Sequence, residues 1–203
     1  MTIRNILDSK KVLFSFEIFP PKKQANFDNV ISCAKELSAL EPDFMSITYG
    51  AGGTTKVNTV EIAQQIIQMG TPALAHLTCV GNTKETIKST IKEMKTAGIE
   101  NVLALRGDYP QDFEGEKATA DGLDHASECH PESANRIDDI ENLKHKVDAG
   151  VDFLTTQMFF DNNMLYSYLY RLQSKGIHLP VLAGIMPITN SSQVARMVKL
   201  SSA

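Results

Sequence analysis

The chain has 203 residues, of which 42% are hydrophobic and 22% are charged, and its formal net charge is −4. This composition is typical of one soluble globular domain, and it argues against a nucleic-acid or anionic-membrane partner. The three cysteines have no paired spacing, the N-terminus has no signal-peptide pattern, and no apolar run could span a bilayer, so we expect a cytoplasmic protein.

Apolar runs rich in β-branched residues alternate with amphipathic stretches, which predicts repeated βα units and a parallel sheet. Six strands are predicted, at about Val12 to Phe19, Asp43 to Tyr49, Pro72 to Val80, Asn101 to Arg106, Asp152 to Met158 and Pro180 to Ile185. Helices are predicted at about Phe27 to Leu40, Val57 to Met69, Thr83 to Ala97, Asn135 to Ala149, Asn162 to Ser174 and Ser191 to Leu200. Glycines at positions 70, 98, 150 and 176 are the predicted helix stops.

The stretch from Tyr109 to Ser133 has no β-branched run and predicts mainly loop. The succession of units favours a (β/α)-barrel over an open doubly wound sheet. No G-x-G-x-x-G fingerprint follows the first strand, and the glycine-rich turn at Gly50 to Gly53 is a weak ligand signal. We therefore predict one α/β domain over residues 1–203, of the (β/α)8 TIM-barrel type.

The first strand carries one carboxylate, Glu17, near its end. Alternation places Phe16 and Ile18 on one side of the strand and Glu17 on the other. Desolvation beside aromatic side chains would raise the pKa of this carboxyl and favour the protonated form that a general acid requires. A glutamate that pairs with a lysine or arginine at a barrel mouth would show the same pattern, so this stretch leaves both interpretations open.

Polar groups also fall at the ends of the other strands. They are Thr48-Tyr49, His76, Arg106-Gly107-Asp108 and Gln157. In a barrel these ends meet on one face, which is the face where barrel enzymes build their active sites. The set together therefore predicts a functional site, although any one member could be structural.

The helix after Asn135 carries Asp139, Asn142 and Lys146 at spacings of three and four, which places them on one face. A solvated helix face would look similar, and the spacing alone does not decide between the two. The acidic and histidine residues between Asp121 and His130 match no metal-ligand spacing, so we predict no metal site.

Eight motifs closely resemble, in the same order, those of the methylenetetrahydrofolate reductase family of flavin-dependent (β/α)8-barrel enzymes. They are Phe16-Glu17-Ile18-Phe19-Pro20-Pro21, Ile47-Thr48-Tyr49-Gly50-Ala51, His76-Leu77-Thr78-Cys79, Leu105-Arg106-Gly107-Asp108, His130-Pro131-Glu132, Lys146-Val147-Asp148-Ala149-Gly150, Thr156-Gln157-Met158-Phe159-Phe160-Asp161 and Gly184-Ile185-Met186-Pro187. The resemblance implies reduction of 5,10-methylenetetrahydrofolate to 5-methyltetrahydrofolate, with a hydride passing from NADH or NADPH through FAD.

By this resemblance Glu17 is the general acid that protonates the folate nitrogen, and Asp108 hydrogen-bonds the pterin and modulates the flavin. Gln157 and Gln193 are similar to folate contacts, and Thr48 to a contact with the nicotinamide co-substrate. The resemblance implies that FAD is bound by Tyr49, Ala51, His76, Leu77, Arg106, Gly107, Asp108, His130, Asp139, Asn142 and Lys146. A glycine fingerprint is not needed in such a site, because barrel loops and a helix hold the cofactor.

The sequence departs from the family pattern in two places. The connection between Asp108 and His130 is too short for the family's next helix and fifth strand, and Ala126-Ser127-Glu128 replace a tyrosine-proline-glutamate run. The eighth strand is also missing, so we expect an incomplete barrel that exposes sheet edges and associates into a homo-oligomer. Two alternatives follow: a non-catalytic folate- or flavin-binding remnant, or a barrel flavoenzyme with another electron donor.

Overall fold

The computed structural model describes residues 1–9, 12–21, 24–49, 56–79, 82–105, 128–129 and 136–194. The chain divides into two compact units, Met1–Ala126 and Ser127–Ala203. Each unit is built from parallel strands and the helices that follow them, as the alternating pattern predicts. No helix in the described ranges combines the length and the apolar character that a membrane span requires.

The first unit holds one parallel sheet with the strand order β1-β2-β3-β4. Its elements are α1 (Ile3–Ser9), β1 (Ser15–Ile18), a 3-10 turn (Gln24–Asn26), α2 (Phe27–Ser38), β2 (Phe44–Ile47), α3 (Lys56–Gln68), β3 (Ala73–Thr78), α4 (Lys84–Thr96) and β4 (Asn101–Leu105). Successive strands along the chain are neighbours in the sheet, so all four carboxyl ends lie at the same edge.

The two faces of this sheet have different roles because side chains alternate along each strand. One face packs against α2, α3 and α4 in a core that includes Ile18, Met45, Ile47 and Ala75. Burying an isoleucine or leucine side chain there contributes about 1.5–3 kcal/mol, so this face anchors the sheet. The other face carries Glu17, Ser46 and His76 beside the buried apolar residues Leu74 and Leu103.

The N-terminal helix α1 was not among the predicted elements. It has only seven residues, too few to show a helical period, and it is held by tertiary contacts. Ile3 and Ile6 are buried, and the Ile3 N–H donates to Asn101 Oδ1 over 2.8 Å. Strand β1 is also shorter than predicted, since Val12 is exposed before it begins at Ser15.

The second unit holds a parallel sheet with the order β5-β6-β7. Its elements are β5 (Glu128–Cys129), α5 (Arg136–Asp148), β6 (Leu154–Thr156), α6 (Asn162–Ser174) and β7 (Val181–Leu182), and residues 191–194 are helical. The core contains Leu143, Leu154, Tyr168 and Leu172. Helix α6 has the predicted bounds, and the side chain of Asp161 caps it by accepting from the Asn163 N–H.

Strand β5 corrects the prediction of loop over Tyr109 to Ser133. Glu128 and Cys129 pair in parallel with Thr155 and Thr156 of β6. A two-residue strand shows no alternation, so the sequence pattern could not reveal it. The four predicted helix stops are confirmed, because glycines 70, 98, 150 and 176 all have positive φ, from 74° to 96°.

Candidate active site

Four of the predicted site residues lie at the carboxyl edge of the first sheet. Glu17 is the next-to-last residue of β1, Thr48 and Tyr49 directly follow β2, and His76 lies in the second half of β3. The strands are parallel and in continuous register, which brings these positions together at one edge.

Ser46 and His76 are polar neighbours of Glu17 on the face opposite the helical core. Its partner in the strand register is Ser46, whose Oγ donates a hydrogen bond to Glu17 Oε2 over 3.3 Å. The His76 Nε2 atom lies 3.8 Å from the same carboxylate oxygen. The carboxylate, the hydroxyl and the imidazole therefore form a compact polar cluster on this face.

The Glu17 side chain is less buried than the sequence led us to expect. It is 46% exposed, whereas a desolvated carboxylate was expected at this position. The cause is the place of β1 at the edge of the four-stranded sheet, where only β2 covers it within the sheet. Phe14 and Phe16 stack edge to face with ring centroids 4.8 Å apart, but Phe16 lies on the core side of the strand, away from the carboxylate.

His76 is the most strongly perturbed group of this cluster. It is buried, and its Nε2 is the one buried side-chain polar atom without a hydrogen-bond partner among the described residues. Burial lowers the pKa of His76 from 6.5 to about 4, so the ring is neutral at neutral pH. Its contact with Glu17 is then no ion pair, and a neutral ring nitrogen can donate to or accept from a ligand.

We expect acidification to destabilise the first unit through His76. Above pH 6.5 the ring is neutral in both the folded and the unfolded chain, and the free energy of unfolding keeps its full value. This free energy decreases as the pH falls from 6.5 through about 4, because the unfolded chain binds the proton more readily than the folded chain. The loss is roughly 3 kcal/mol by linkage. Urea unfolding measured between pH 7 and pH 4 checks this, with hydrogen exchange over residues 73–78 to localise the effect.

The variant His76→Gln should flatten this part of the stability profile, since it removes the titrating ring. His178 is exposed, so His178→Gln is the matched control and should keep the wild-type pH dependence. An unchanged profile in His76→Gln would contradict the assignment.

Thr48 and Tyr49 are fixed by bonds to neighbouring elements. The Thr48 N–H donates to the Ile18 carbonyl over 3.0 Å, and its own carbonyl accepts from the buried Thr59 hydroxyl over 3.1 Å. Burial raises the pKa of Tyr49, and a hydrogen bond with the Asn82 side chain opposes that rise. The tyrosine is therefore a neutral phenol, and Asn82 ties the end of β2 to the segment after β3.

Other predicted cofactor contacts in this unit are placed differently or lie outside the described residues. The Leu77 side chain is buried in the helical core, so its backbone is the part that could contact a ligand. Ala51, Arg106, Gly107 and Asp108 lie outside the described residues, as does His130 of the second unit.

In the second unit, Lys146 is buried on α5, while the side chains of Asp139 and Asn142 are outside the described set. Gln157 directly follows β6 and is partly buried. Gln193 Oε1 accepts from the Thr189 N–H over 2.8 Å and from the Thr189 hydroxyl.

Gly184 makes a close backbone approach to β6 in the second unit. Its N–H donates to Thr156 Oγ1 over 2.9 Å. A Cβ atom built on Gly184 would lie less than 3.0 Å from the Thr156 carbonyl oxygen, which is closer than real Cβ atoms approach other heavy atoms. A glycine is therefore required beside the segment that carries Gln157.

Two polar residues of the site, Ser46 and Asn82, were not among the site residues predicted from the sequence. For Ser46 the signal was present, because alternation within β2 puts it on the face opposite Met45 and Ile47. For Asn82 there was none, since its partner Tyr49 is distant in sequence and their contact depends on the packing of two strand ends.

The chain is similar in sequence to known proteins of one family. The family described as Methylenetetrahydrofolate reductase matches the chain over residues 2–128 and 119–203. The "Probable methylenetetrahydrofolate reductase (NADH)" of Oryza sativa subsp. japonica is 33% identical over 219 residues, covering 92% of this chain and 37% of that protein. The "5,10-methylenetetrahydrofolate reductase" of Pectobacterium carotovorum is 32% identical, covering 95% of this chain and 70% of that protein.

The chain thus spans less than two-fifths of the plant relative and about two-thirds of the bacterial one. Among solved structures, tryptophan synthase from M. tuberculosis is similar with a TM-score of 0.58 at 15% identity, covering 97% of this chain and 85% of that chain. The tryptophan synthase alpha chain of Legionella pneumophila gives a TM-score of 0.51 at 10% identity, covering 98% and 81%. At these identities the likeness shows the fold alone, which is of the (β/α)-barrel type.

Proposed function

The chain belongs to the methylenetetrahydrofolate reductase family, and we propose that it reduces 5,10-methylenetetrahydrofolate to 5-methyltetrahydrofolate with a reduced nicotinamide as donor. The observation that carries this proposal is the position of Glu17. A family motif covers it, and the fold places it at the carboxyl edge of the sheet beside Ser46 and His76. Barrel enzymes place their catalytic groups at this edge.

Glu17 acts as the general acid for the folate. Its carboxyl holds a proton and delivers it to the folate nitrogen whose bond to the methylene carbon breaks. The electrons of that bond go to the protonated nitrogen, and the ring opens to a cationic iminium that can accept a hydride. Asp108 has the role of hydrogen-bonding the pterin, and Gln157 and Gln193 are the further folate contacts.

The residues of the first unit fit a flavin cofactor. A flavin ring carries both N–H and C=O groups on its pyrimidine edge, and His76 offers a buried, neutral nitrogen with no protein partner among the described residues. An unpaired buried polar atom costs about 1–3 kcal/mol, which a ligand would recover. When FAD is bound it supplies hydride acceptance from NADH or NADPH and hydride donation to the folate.

The residues that would hold FAD in the first unit are Tyr49, Ala51, His76, the backbone of Leu77, Arg106, Gly107 and Asp108. Thr48 would contact the nicotinamide. The candidates in the second unit, namely His130, Asp139, Asn142 and Lys146, come from the family resemblance.

The chain also has the features of an internally shortened member of the family. The family match falls into two parts that overlap at residues 119–128. The connection from Asp108 to His130 is too short for the family's further helix and full-length fifth strand, and β5 has only two residues. The site residues before and after this segment keep the family order.

A flavin absorbance spectrum of the purified chain tests the proposed function. After reconstitution with FAD, we expect a yellow protein that NADH or NADPH bleaches, and that 5-methyltetrahydrofolate also bleaches by the reverse half-reaction. One equivalent of 5,10-methylenetetrahydrofolate should then restore the colour of the reduced protein.

A colourless chain that FAD cannot reconstitute would overturn the enzyme proposal and favour a non-catalytic remnant. Bleaching by the folate but by neither nicotinamide would favour a barrel flavoenzyme with another electron donor. The replacement of the family's tyrosine-proline-glutamate run by Ala126-Ser127-Glu128 removes an aromatic residue, and this makes the second outcome worth testing.

A further inference from the structure

We infer that Ser46 is a positioning residue for Glu17, holding one carboxylate oxygen so that the acid presents a fixed geometry to the folate. This inference rests on the acid role proposed above for Glu17. Ser46 touches Glu17 rather than the reacting atoms, so it acts through the carboxylate.

The backbone geometry makes the Ser46–Glu17 contact a built feature of the sheet. The two residues are register partners in the parallel pair of β1 and β2, which points both side chains to the same face. Ser46 Oγ donates to Glu17 Oε2 over 3.3 Å. Ser46 is 8% exposed while the Glu17 side chain is 46% exposed, so a buried donor anchors a more exposed side chain.

The next strands extend the same face. Ser46 pairs with Leu74 of β3, and His76 lies two residues further along that strand, therefore on the same side. Among the residues of β1 to β4, Glu17 and His76 are the titratable side chains of this face. Arg106 and Asp108 follow β4 in the sequence and lie outside the described residues.

Two physical effects follow from this hydrogen bond. A glutamate side chain has three rotatable bonds, and holding Oε2 removes most of the orientations that would carry the proton away from the substrate. A hydroxyl that donates to a carboxylate also favours the ionised form, which lowers the pKa of the carboxyl. Ser46 would therefore set both the direction of the acid and the pH above which it no longer delivers a proton.

Titration of Glu17 in the full chain, followed by NMR of side-chain carboxyl carbons, tests this without any bound cofactor. The Glu17 signal is identified by its loss in Glu17→Gln. We expect Ser46→Ala to raise the pKa of Glu17 and to slow the folate half-reaction about tenfold. The pH above which the folate half-reaction loses its acid should rise as well. Reduction of the flavin by the nicotinamide should be unchanged.

Two further variants separate this role from a general effect on folding. Ser46→Thr keeps the hydroxyl and should restore the wild-type titration. Ser38→Ala is the matched control, because it also removes a partly buried serine hydroxyl. The Ser38 hydroxyl is hydrogen-bonded to the Thr71 hydroxyl over 2.7 Å and not to Glu17. Circular dichroism melts confirm that each variant is folded.

The outcomes are distinct for the two proposals. An unmoved Glu17 pKa in Ser46→Ala, or an equal movement in Ser38→Ala, would overturn the positioning role of Ser46. A raised pKa in Ser46→Ala together with normal folate turnover in Glu17→Gln would instead overturn the acid role on which the inference rests.

Discussion

Glu17→Gln is expected to slow the folate half-reaction by about 10²–10⁴-fold, which is the usual contribution of a positioned general acid. Glutamine has the shape of glutamate but cannot deliver a proton, so ring opening loses its acid while binding contacts remain. Reduction of the flavin by NADH or NADPH needs no proton from Glu17 and should stay within about twofold of wild type. Stopped-flow measurement of each half-reaction separately provides the test.

The structure predicts that this variant will fold normally. The amide oxygen of glutamine can accept the same hydrogen bond from Ser46, and the half-exposed side chain loses little burial. Glu61→Gln is the matched control, because Glu61 is an exposed glutamate on α3 that should affect neither half-reaction. Equal slowing of both half-reactions in Glu17→Gln would show that Glu17 is not the folate acid.

Gly184→Ala is expected to destabilise the second unit by about 1–3 kcal/mol, the usual cost of overpacking. The added methyl group meets backbone atoms of Thr156, Gln157 and Met158 rather than the flexible end of a side chain. Relief would require β6 to move, and Thr156 is held there by its bond to the Gly184 N–H and by pairing with β5. Faster hydrogen exchange over residues 154–182 would locate the damage.

Folate binding should weaken in the same variant, because the displaced backbone carries Gln157. Gly176→Ala is the informative comparison: it makes the same chemical change in open space, with only the cost of a positive φ of 74°, about 1 kcal/mol. It should leave folate binding intact. Wild-type stability and folate affinity in Gly184→Ala would contradict a required glycine at this position.

The parts of this fold that were predictable from sequence are those with long periodic patterns. The helix Asn162–Ser174 was predicted with the observed bounds, and its predicted glycine stop at position 176 has the positive φ typical of a helix end. The parallel βα order was likewise predictable, because β-branched runs and amphipathic runs alternate. Family membership came from eight short motifs in a fixed order, a signal that no single motif carries.

The remaining features depend on contacts that a linear pattern does not contain. Helix α1 is stabilised by Asn101, nearly a hundred residues away, and β5 exists through its pairing with β6. The exposure of Glu17 was mispredicted for the same reason. Flanking phenylalanines suggested burial, but the position of β1 at the sheet edge decides how much water reaches the carboxylate.

The exposure of the Glu17 carboxylate affects how the acid regains its proton between turnovers. Reduction of methylenetetrahydrofolate by a reduced nicotinamide consumes one proton from solution in every cycle, and the proposed acid must be recharged before it can work again. A deeply enclosed carboxylate would need a relay of side chains or trapped waters for this step. Glu17 is 46% exposed, so water and buffer can return its proton directly while Ser46 keeps hold of the other side of the carboxylate.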